Sequence, residues 1–316
     1  MKITMQKGKI WVGVIVILTT LVTGCLEESD FEKQQKQSDK EISNYLKENN
    51  INTETSSFGI HYEKLVSEPN GEAPASGDVM YVKYMIVTLD GDTLESVQDE
   101  AVPFKFNWNS VLPQGMNYGI DILKTGEKAR FYLPSYTSYN SYSPSDNSFR
   151  AYTNFIVEME LVATMDETDV QNAEIDTIED YIASEGFEDV IPSSSGLYYK
   201  TLTPGEGESP KSYNQVKLHY KRSYLDGTVI QETEADKPLT VQMNTNQLVK
   251  GFEQGVLQMK KGEKALLIMP SNLAFGSSVQ IMPSNLREEL FEYGHITTNV
   301  KPYAPVTYEV ELLEIK

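Results

Sequence analysis

The side chains that could do acid–base, metal or nucleophilic chemistry are few and scattered. Three histidines, His61, His219 and His295, lie far apart and lack the spacing of a metal site. The single cysteine is Cys25, and neither a Ser/His/Asp arrangement nor a glycine-rich phosphate loop can be recognised. Hydrolysis, metal-assisted reactions and phosphoryl transfer therefore have little support. The most ordered set of apolar and aromatic residues runs from 248 to 270, and it forms either a binding pocket or only a core.

Length and charge narrow the class of protein. The chain has 316 residues, which favours two domains, and 40% of them are hydrophobic, enough to bury real cores. Its net charge is -19, from 46 acidic and 27 basic residues. An acidic surface repels the phosphate backbone, so we expect no nucleic-acid partner.

The N-terminus is typical of an exported protein. Lys2, Lys7 and Lys9 flank an apolar run over residues 10–22, which has the length of a signal-peptide core but is shorter than the ~20 residues of a lasting membrane span. The run ends in Leu-Val-Thr-Gly-Cys, which resembles the bacterial lipobox, so residues 1–24 are predicted to be a signal peptide and Cys25 to be lipidated. The alternative is a signal peptide followed by a chance cysteine. With no other cysteine, the domains must hold without disulfides.

Acidic residues follow this cysteine. Residues 26–30 read Leu-Glu-Glu-Ser-Asp, which resembles the surface-export signal of Bacteroidetes lipoproteins, although an acidic tether near an anionic membrane would have the same composition. We expect a lipid anchor in the bacterial cell envelope, most simply in the outer membrane, on its periplasmic or surface face.

The chain contains an internal repeat. Leu-Asp-Gly at 89–91 recurs at 225–227, a spacing of 225 − 89 = 136, and Gly-Glu-Lys-Ala at 126–129 recurs at 262–265 with the same spacing. Each copy is preceded by an amphipathic helical pattern, "EISNYL" and "TIEDYI". The predicted organisation is a tether with a first leading helix (25–56), a first domain (57–164), a second leading helix and linker (165–195) and a second domain (196–316).

Within the second copy the hydrophobic period changes to two. Residues 215–224 and 306–315 alternate as strands, and Asp226-Gly227 is a hairpin signal because glycine supplies the positive φ of a tight turn. Leu248, Phe252, Val256 and Met259 share one helical face. Ser284 is predicted to begin another short helix. The fold class is α+β, with antiparallel strands and one short helix in each domain.

The order of these features resembles the FKBP-type peptidyl-prolyl cis-trans isomerase family. The motifs that carry the resemblance are Val-Lys-Leu-His-Tyr at 216–220, Leu-Asp-Gly-Thr at 225–228, Leu-Val-Lys-Gly-Phe-Glu-Gln-Gly at 248–255, Met-Lys-Lys-Gly-Glu-Lys-Ala at 259–265, Ile-Met-Pro at 268–270, Ala-Phe-Gly at 274–276 and Tyr-Glu-Val-Glu-Leu-Leu at 308–313. The resemblance implies an antiparallel sheet wrapped around the short helix, proline-containing polypeptides as partners, and no metal or cofactor. It is strongest over 196–316, whereas the first domain keeps the frame and few pocket residues.

The chemistry that the family performs needs no nucleophile or general base. Rotation about an X-Pro bond requires loss of amide resonance, at a barrier of ~20 kcal/mol. A twisted amide has less charge separation than a planar one, so an apolar, aromatic-lined pocket favours it over water.

Carried over by position, the family's pocket falls on residues of the second domain. Tyr220 matches the wall tyrosine, Phe252 the floor that is usually tryptophan, and Tyr308 the aromatic residue of the last strand. Leu248 and Val249 match the aliphatic pair before the helix, and the resemblance implies that the Val249 N–H binds the substrate carbonyl.

Four further positions depart from the pattern. Ile230 and Leu239 replace aromatic residues, and Phe275 stands where tyrosine is usual, so that a hydroxyl hydrogen bond to substrate is lost. Gln231 stands where the family carries an aspartate, which removes a negative charge beside the twisted amide. We therefore expect binding of apolar-Pro segments with weakened turnover.

The first domain departs further. Pro113 stands at the position of Val249 and has no N–H to donate. Met116 and Val157 replace aromatic residues, Glu95 sits at the carboxylate position, and Tyr84 matches the wall tyrosine. A structural or client-binding role is expected for this copy.

The predicted function is peptidyl-prolyl isomerisation by the second domain, in a folding factor for exported proteins. A non-catalytic chaperone or peptide-binding lipoprotein that uses both grooves is the alternative, favoured by Gln231 and Pro113. A surface scaffold or glycan-handling lipoprotein rests only on the acidic signal after Cys25.

Overall fold

The computed structural model describes residues 28–188 and 190–316. The predicted signal peptide and Cys25 lie outside the described residues. Among the helices that are described, none is both long and apolar enough to span a bilayer.

Helices and strands alternate in two similar series. The first series is α1 (Asp30–Glu48), β1 (Glu54–Thr55), β2 (His61–Val66), β3 (Val79–Thr88), β4 (Thr93–Lys105), β5 (Val111–Leu112), α2 (Gln114–Ile120), β6 (Lys128–Leu133), the 3₁₀ turn η1 (Ser135–Thr137) and β7 (Phe155–Met165). The second is α3 (Glu167–Ser184), β8 (Tyr198–Thr203), β9 (Gln215–Tyr224), β10 (Val229–Glu232), β11 (Leu239–Gln242), α4 (Lys250–Val256), β12 (Lys264–Met269), the 3₁₀ turn η2 (Ser271–Leu273), β13 (Gln280–Ile281), α5 (Leu286–Glu292) and β14 (Val306–Ile315).

Each series forms one antiparallel sheet. The first has the order β1-β2-β6-β7-β3-β4, and the second has β10-β9-β14-β12-β8 with β11 paired to β9. The strands predicted at 215–224 and 306–315 are confirmed as β9 and β14, and Gly227 has the φ of +84° that the predicted hairpin requires. The predicted α+β class with two similar domains is confirmed.

A short helix packs on the inner face of each sheet. In the second domain this helix is α4, which is shorter than the 248–259 pattern predicts: Val249 is its N-cap, and Met259 lies beyond its end. The helix approaches the sheet closely because Gly251 has no side chain, and a Cβ there would lie 2.6 Å from the sulfur of Met269. Gly115 of α2 faces Leu133 in the same way.

Helices α1 and α3 lie on the outer faces of the two sheets. Ile42 and Leu46 of α1 are buried with Tyr132 and Ile156. Ile178 of α3 is buried in a cluster with residues of β8 and β12. Both helices thereby cover apolar residues that alternate with those of the core.

Equivalent residues of α1 and α3 bind equivalent turns. The N–H of Ser135 in η1 donates to Oγ of Ser38 at 2.8 Å, and the N–H of Ser271 in η2 donates to a carboxylate oxygen of Glu174 at 2.7 Å. The spacing is 174 − 38 = 136 in both helix and turn. Burial raises the pKa of Glu174, although its bonds to Ser271 oppose the rise. In the first copy, the neutral side chain of Ser38 accepts the equivalent hydrogen bond.

This raised pKa predicts a pH-dependent stability difference. A carboxyl group with a folded-state pKa above its unfolded value stabilises the fold fully only below the unfolded pKa, and that contribution is lost as pH rises through the folded pKa. We expect the melting temperature of Glu174→Gln minus that of the wild type to become more positive from pH 4.5 to pH 8, measured by circular dichroism. Asp176→Asn is the control, because it makes the same charge change at an exposed position of α3. A difference that does not vary with pH would contradict the buried-charge account.

The segment 277–305, which we call the insert, leaves the second domain and packs against the first. Its strand β13 pairs in parallel with β5, with Gln280 opposite Val111 and Ile281 opposite Leu112. The peptide bond that precedes Pro283 is cis. The insert thus adds a strand and the helix α5 to the first domain.

The start predicted for the helix in the insert is wrong. Helix α5 begins at Leu286 after Asn285, and no side chain caps it. Ser284 instead uses its N–H to bind Glu95 of the first domain at 2.9 Å. The capping pattern therefore marked a residue whose partner lies 189 positions away.

Candidate functional site

Three aromatic rings form the centre of the second domain's candidate site. Phe252 stacks on Tyr308 with ring centroids 4.6 Å apart and an interplanar angle of 24°. Tyr220 lies 5.7 Å from Phe252 and 5.8 Å from Tyr308. Because α4 carries Phe252 while β9 and β14 carry the tyrosines, the packing of helix on sheet brings the three together.

The remaining apolar residues predicted for the site surround these rings. Five partly buried side chains pack against the same core cluster: Ile230, Leu239, Leu248, Val249 and Phe275. Among the hydrogen bonds between described residues, none uses the Val249 N–H. As the N-cap of α4, Val249 has one of the free donors expected at a helix start, which can bind a carbonyl oxygen. The structure therefore brings all eight apolar residues predicted for the site into one cluster.

A buried arginine is the unexpected member of this site. Arg222 of β9 is 7% exposed, and its guanidinium carbon lies 4.6 Å from the ring centroid of Phe275. It donates to the Tyr308 hydroxyl at 3.3 Å, to Oε1 of Gln231 at 3.1 Å and to Oδ1 of Asn299 at 3.2 Å. Its Nε is buried without a partner, and no described carboxylate forms an ion pair with it.

The tyrosine hydroxyls of the site are protonated at neutral pH. Burial raises the pKa of Tyr308, and the nearby Arg222 guanidinium opposes the rise. Burial also raises the pKa of Tyr220. Both hydroxyls can therefore donate hydrogen bonds but cannot act as bases.

The site can bind and polarise but holds no reactive group. Gln231, at the position where the resemblance implies a carboxylate, is exposed and neutral. In the part of the chain that the structure describes, no three His, Cys, Asp or Glu residues are grouped to hold a metal. A cavity of about 560 Å³ is lined mostly by polar and charged residues such as Lys264 and Glu309, and also by Tyr220. It has none of the stacked aromatic pair, so we assign no site there.

The corresponding groove of the first domain is occupied by the insert. Tyr84, Met116 and Val157 belong to one buried cluster that also contains apolar side chains of the insert. The five fully or nearly fully buried members from the insert are Ile281, Met282, Leu286, Leu290 and Ile296. We call this surface, made by Tyr84, Glu95, Met116, Tyr139 and Val157, the first groove.

Polar contacts fix the insert in the first groove. The Tyr139 hydroxyl donates to the Met282 carbonyl, which directly precedes Pro283, at 3.0 Å. The Met282 N–H donates to the Leu112 carbonyl at 2.9 Å. Glu95 accepts from the N–H and the hydroxyl of Ser284 and from the Tyr84 hydroxyl. Every one of these bonds except the last crosses from one domain to the other.

Three features of the two sites were missed in the sequence. Arg222 lies inside a strand pattern and gave no signal of burial. Tyr139 could have been found, because it precedes Phe275 by 275 − 139 = 136 residues and so restores the hydroxyl that the second domain lacks. The packing of the insert on the first domain gave no local pattern.

Comparisons with known proteins agree with this geometry. The model of a family described as FKBP-type peptidyl-prolyl cis-trans isomerase matches the chain twice, over residues 70–201 and 206–313. The chain is 32% identical over 130 residues to the FKBP-type peptidyl-prolyl cis-trans isomerase FkpA of Buchnera aphidicola subsp. Schizaphis graminum, a match that covers 40% of this chain and 44% of that protein. It is 31% identical over 123 residues to FK506-binding protein 1A of Emericella nidulans, which covers 38% of this chain and 98% of the relative.

One solved structure spans most of the chain. The three FKBP domains of wheat FKBP73 align with 82% of this chain and 96% of their own, at 22% identity and a TM-score of 0.33. The chain spans less than half of the Buchnera protein.

Proposed function

Because the chain belongs to the FKBP-type peptidyl-prolyl cis-trans isomerase family, we propose that its second domain catalyses X-Pro isomerisation in polypeptides. The observation that carries the proposal is the stacked pair Phe252 and Tyr308 with Tyr220 beside it and the free N–H of Val249 at the start of α4. A proline ring would lie on the aromatic floor, and the carbonyl before it would accept from Val249. These contacts favour the twisted amide over the planar one because they replace water by an apolar surface.

The residues of the site bind and orient, and none transfers a proton. Arg222 holds the Tyr308 hydroxyl and Gln231 in place through its hydrogen bonds. Its positive charge lies where a carboxylate would favour the reaction, and Gln231 supplies none. The proposed turnover is therefore weak in comparison with a site that carries the carboxylate.

A matched pair of variants assigns the activity to one domain. Phe252 and Met116 occupy equivalent positions, 252 − 116 = 136, and both are buried. We expect Phe252→Leu to lower kcat/KM by roughly twofold to tenfold, because the aromatic contacts contribute roughly 0.5–1.5 kcal/mol beyond area. Met116→Leu conserves volume, so it should leave the packing of the first groove and kcat/KM near their wild-type values. The measurement is isomerisation of several X-Pro peptides by the full chain.

Two outcomes would contradict the assignment. Rates equal to the uncatalysed background with wild-type protein would exclude isomerase activity on these peptides. A loss that is larger in Met116→Leu than in Phe252→Leu would place the activity in the first domain. Melting temperatures of both variants separate lost activity from lost structure.

The second candidate function is peptide binding without catalysis. It is favoured by one observation, the buried Arg222 beside a neutral Gln231. In that case X-Pro peptides would bind the second domain with the same Phe252 dependence, while the rate of isomerisation would stay at background.

We also propose that the protein is a lipid-anchored folding factor of the bacterial cell envelope, with exported polypeptides as its clients. The support is the sequence of the first 25 residues, in which a basic start, an apolar run and Leu-Val-Thr-Gly precede Cys25. Cys25→Ser is expected to abolish lipid attachment and to move the protein from the membrane to the soluble fraction. Mass spectrometry of the N-terminal peptide checks the modification, and an unmodified Cys25 in the wild type would exclude it.

A further inference from the structure

The insert contacts the first domain through Glu289 of α5 and the second domain through Asn299. Glu289 accepts from the Tyr142 hydroxyl at 2.7 Å and from the Ser145 N–H at 3.0 Å, both in the first domain. Glu288, the adjacent residue, accepts from Nδ2 of Asn299 at 2.9 Å. Asn299 in turn accepts from Arg222 in the second domain's site. Two sets of hydrogen bonds, joined by the backbone between Glu288 and Glu289, therefore connect the first domain to the aromatic floor of the second.

The insert is held as one unit. Arg287 is 7% exposed, and its guanidinium donates to the carbonyl of Val279 at 2.9 Å and to that of Val300 at 3.1 Å. These two residues lie near opposite ends of the insert. Movement of the part of the insert that lies in the first groove would therefore be transmitted to the part near Val300, which carries Asn299.

We propose that the first groove is a receptor for the chain's own segment 280–284, and that it thereby positions Asn299 and Arg222 at the second site. The first domain then contributes to the reaction by holding part of the second site's wall. Its groove is closed to other polypeptides while the segment is bound, because a tethered ligand has an effective concentration that free peptides do not reach. The second part of this inference rests on the proposed function, whereas the first part does not.

The chemistry of the groove selects this segment. The apolar residues Ile281 and Met282 enter the buried cluster. The Met282 carbonyl, which precedes Pro283, accepts a hydrogen bond from the Tyr139 hydroxyl. The N–H and hydroxyl of Ser284 donate to the Glu95 carboxylate. An apolar-apolar-Pro-Ser sequence satisfies all of these groups at once.

The receptor function is tested by amide hydrogen exchange on the full chain. Tyr139→Phe removes the bond to the Met282 carbonyl, and Glu95→Gln weakens the bonds to Ser284. Either variant should speed exchange at Gln280 and Met282 roughly fivefold, the effect of one lost net hydrogen bond. Tyr136→Phe is the matched control, because Tyr136 lies three residues before Tyr139, in η1, but its hydroxyl donates to Asp39 of α1.

The positioning function is tested by the kinetics of the same variants. Tyr139→Phe and Glu95→Gln should lower kcat/KM of X-Pro isomerisation roughly threefold. Asn299→Ala should lower it similarly without speeding exchange at Gln280 and Met282. This difference separates positioning from general loss of structure, which would change both readings together.

The outcomes are distinguishable. Wild-type exchange rates in both Tyr139→Phe and Glu95→Gln would overturn the receptor. Unchanged kinetics in all three variants, with faster exchange in Tyr139→Phe and Glu95→Gln, would overturn the positioning. A wild-type chain without turnover would refute the proposed function and with it the positioning, but the exchange result would still decide whether the first groove binds the segment.

Discussion

Met282→Asp is expected to expel the insert from the first groove. The side chain of Met282 is 0% exposed and lies in the apolar cluster of the first domain. A carboxylate in that position would lose its hydration without an ionic partner, at a cost of several kcal/mol. We expect a loss of about 3–5 kcal/mol in the free energy of unfolding and a fall of about 10 °C in melting temperature.

The expelled state can be detected directly. A labelled peptide with the sequence of residues 279–286 should bind the Met282→Asp variant, because its groove is open, and should not bind the wild type. Met282→Leu is the control, since a volume-conserving apolar exchange costs less than about 1.5 kcal/mol. It should keep the wild-type melting temperature within a few degrees and bind no peptide. An Asp variant that melts like the wild type would show that this side chain is not seated in the groove.

The sequence determined the frame of each domain well. The period-two patterns at 215–224 and 306–315 coincide with β9 and β14, because one face of each strand is buried and the other is not. The aromatic cluster followed from position within the repeat and within the resemblance. A local sequence pattern is sufficient to place a residue whose contacts lie within its own domain.

Contacts between the domains could not be predicted in this way. Ser284 has the residue type of an N-cap, but its bonds go to Glu95, and only the folded chain brings the two together. Arg222 was overlooked for a related reason. A charged residue within a strand is ordinarily exposed, but Arg222 is buried and donates to Asn299, which lies 77 residues away in the insert.

The repeat indicates which substitutions would change the charge of the second site. Ile86 and Glu95 of the first domain are equivalent to Arg222 and Gln231, since 222 − 86 = 136 and 231 − 95 = 136. In the first domain the apolar residue leaves the carboxylate free to accept from Tyr84 and Ser284. In the second domain the guanidinium of Arg222 binds the side chain at 231.

Gln231→Asp alone is therefore expected to raise kcat/KM less than threefold, because the new carboxylate would form an ion pair with Arg222. Arg222→Ile combined with Gln231→Asp should raise it about tenfold or more, the effect of ~1.4 kcal/mol of added stabilisation of the twisted amide. Isoleucine is accommodated at this position in the first domain, where Ile86 is 0% exposed. Arg222→Ile alone is the control, and it should not raise kcat/KM, because it removes the hydrogen bonds to Tyr308 and Gln231 together with the cation.

The four proteins, wild type included, form a double-mutant cycle whose coupling energy measures the interaction of the two positions. If Arg222 neutralises the new carboxylate, the change in kcat/KM of the double variant should exceed the product of the changes in the two single variants. A full gain from Gln231→Asp alone would mean that Arg222 does not reach the carboxylate. No gain in any variant would mean that a negative charge at this position does not favour the twisted amide, and the weak turnover proposed here would then need a cause other than the missing carboxylate.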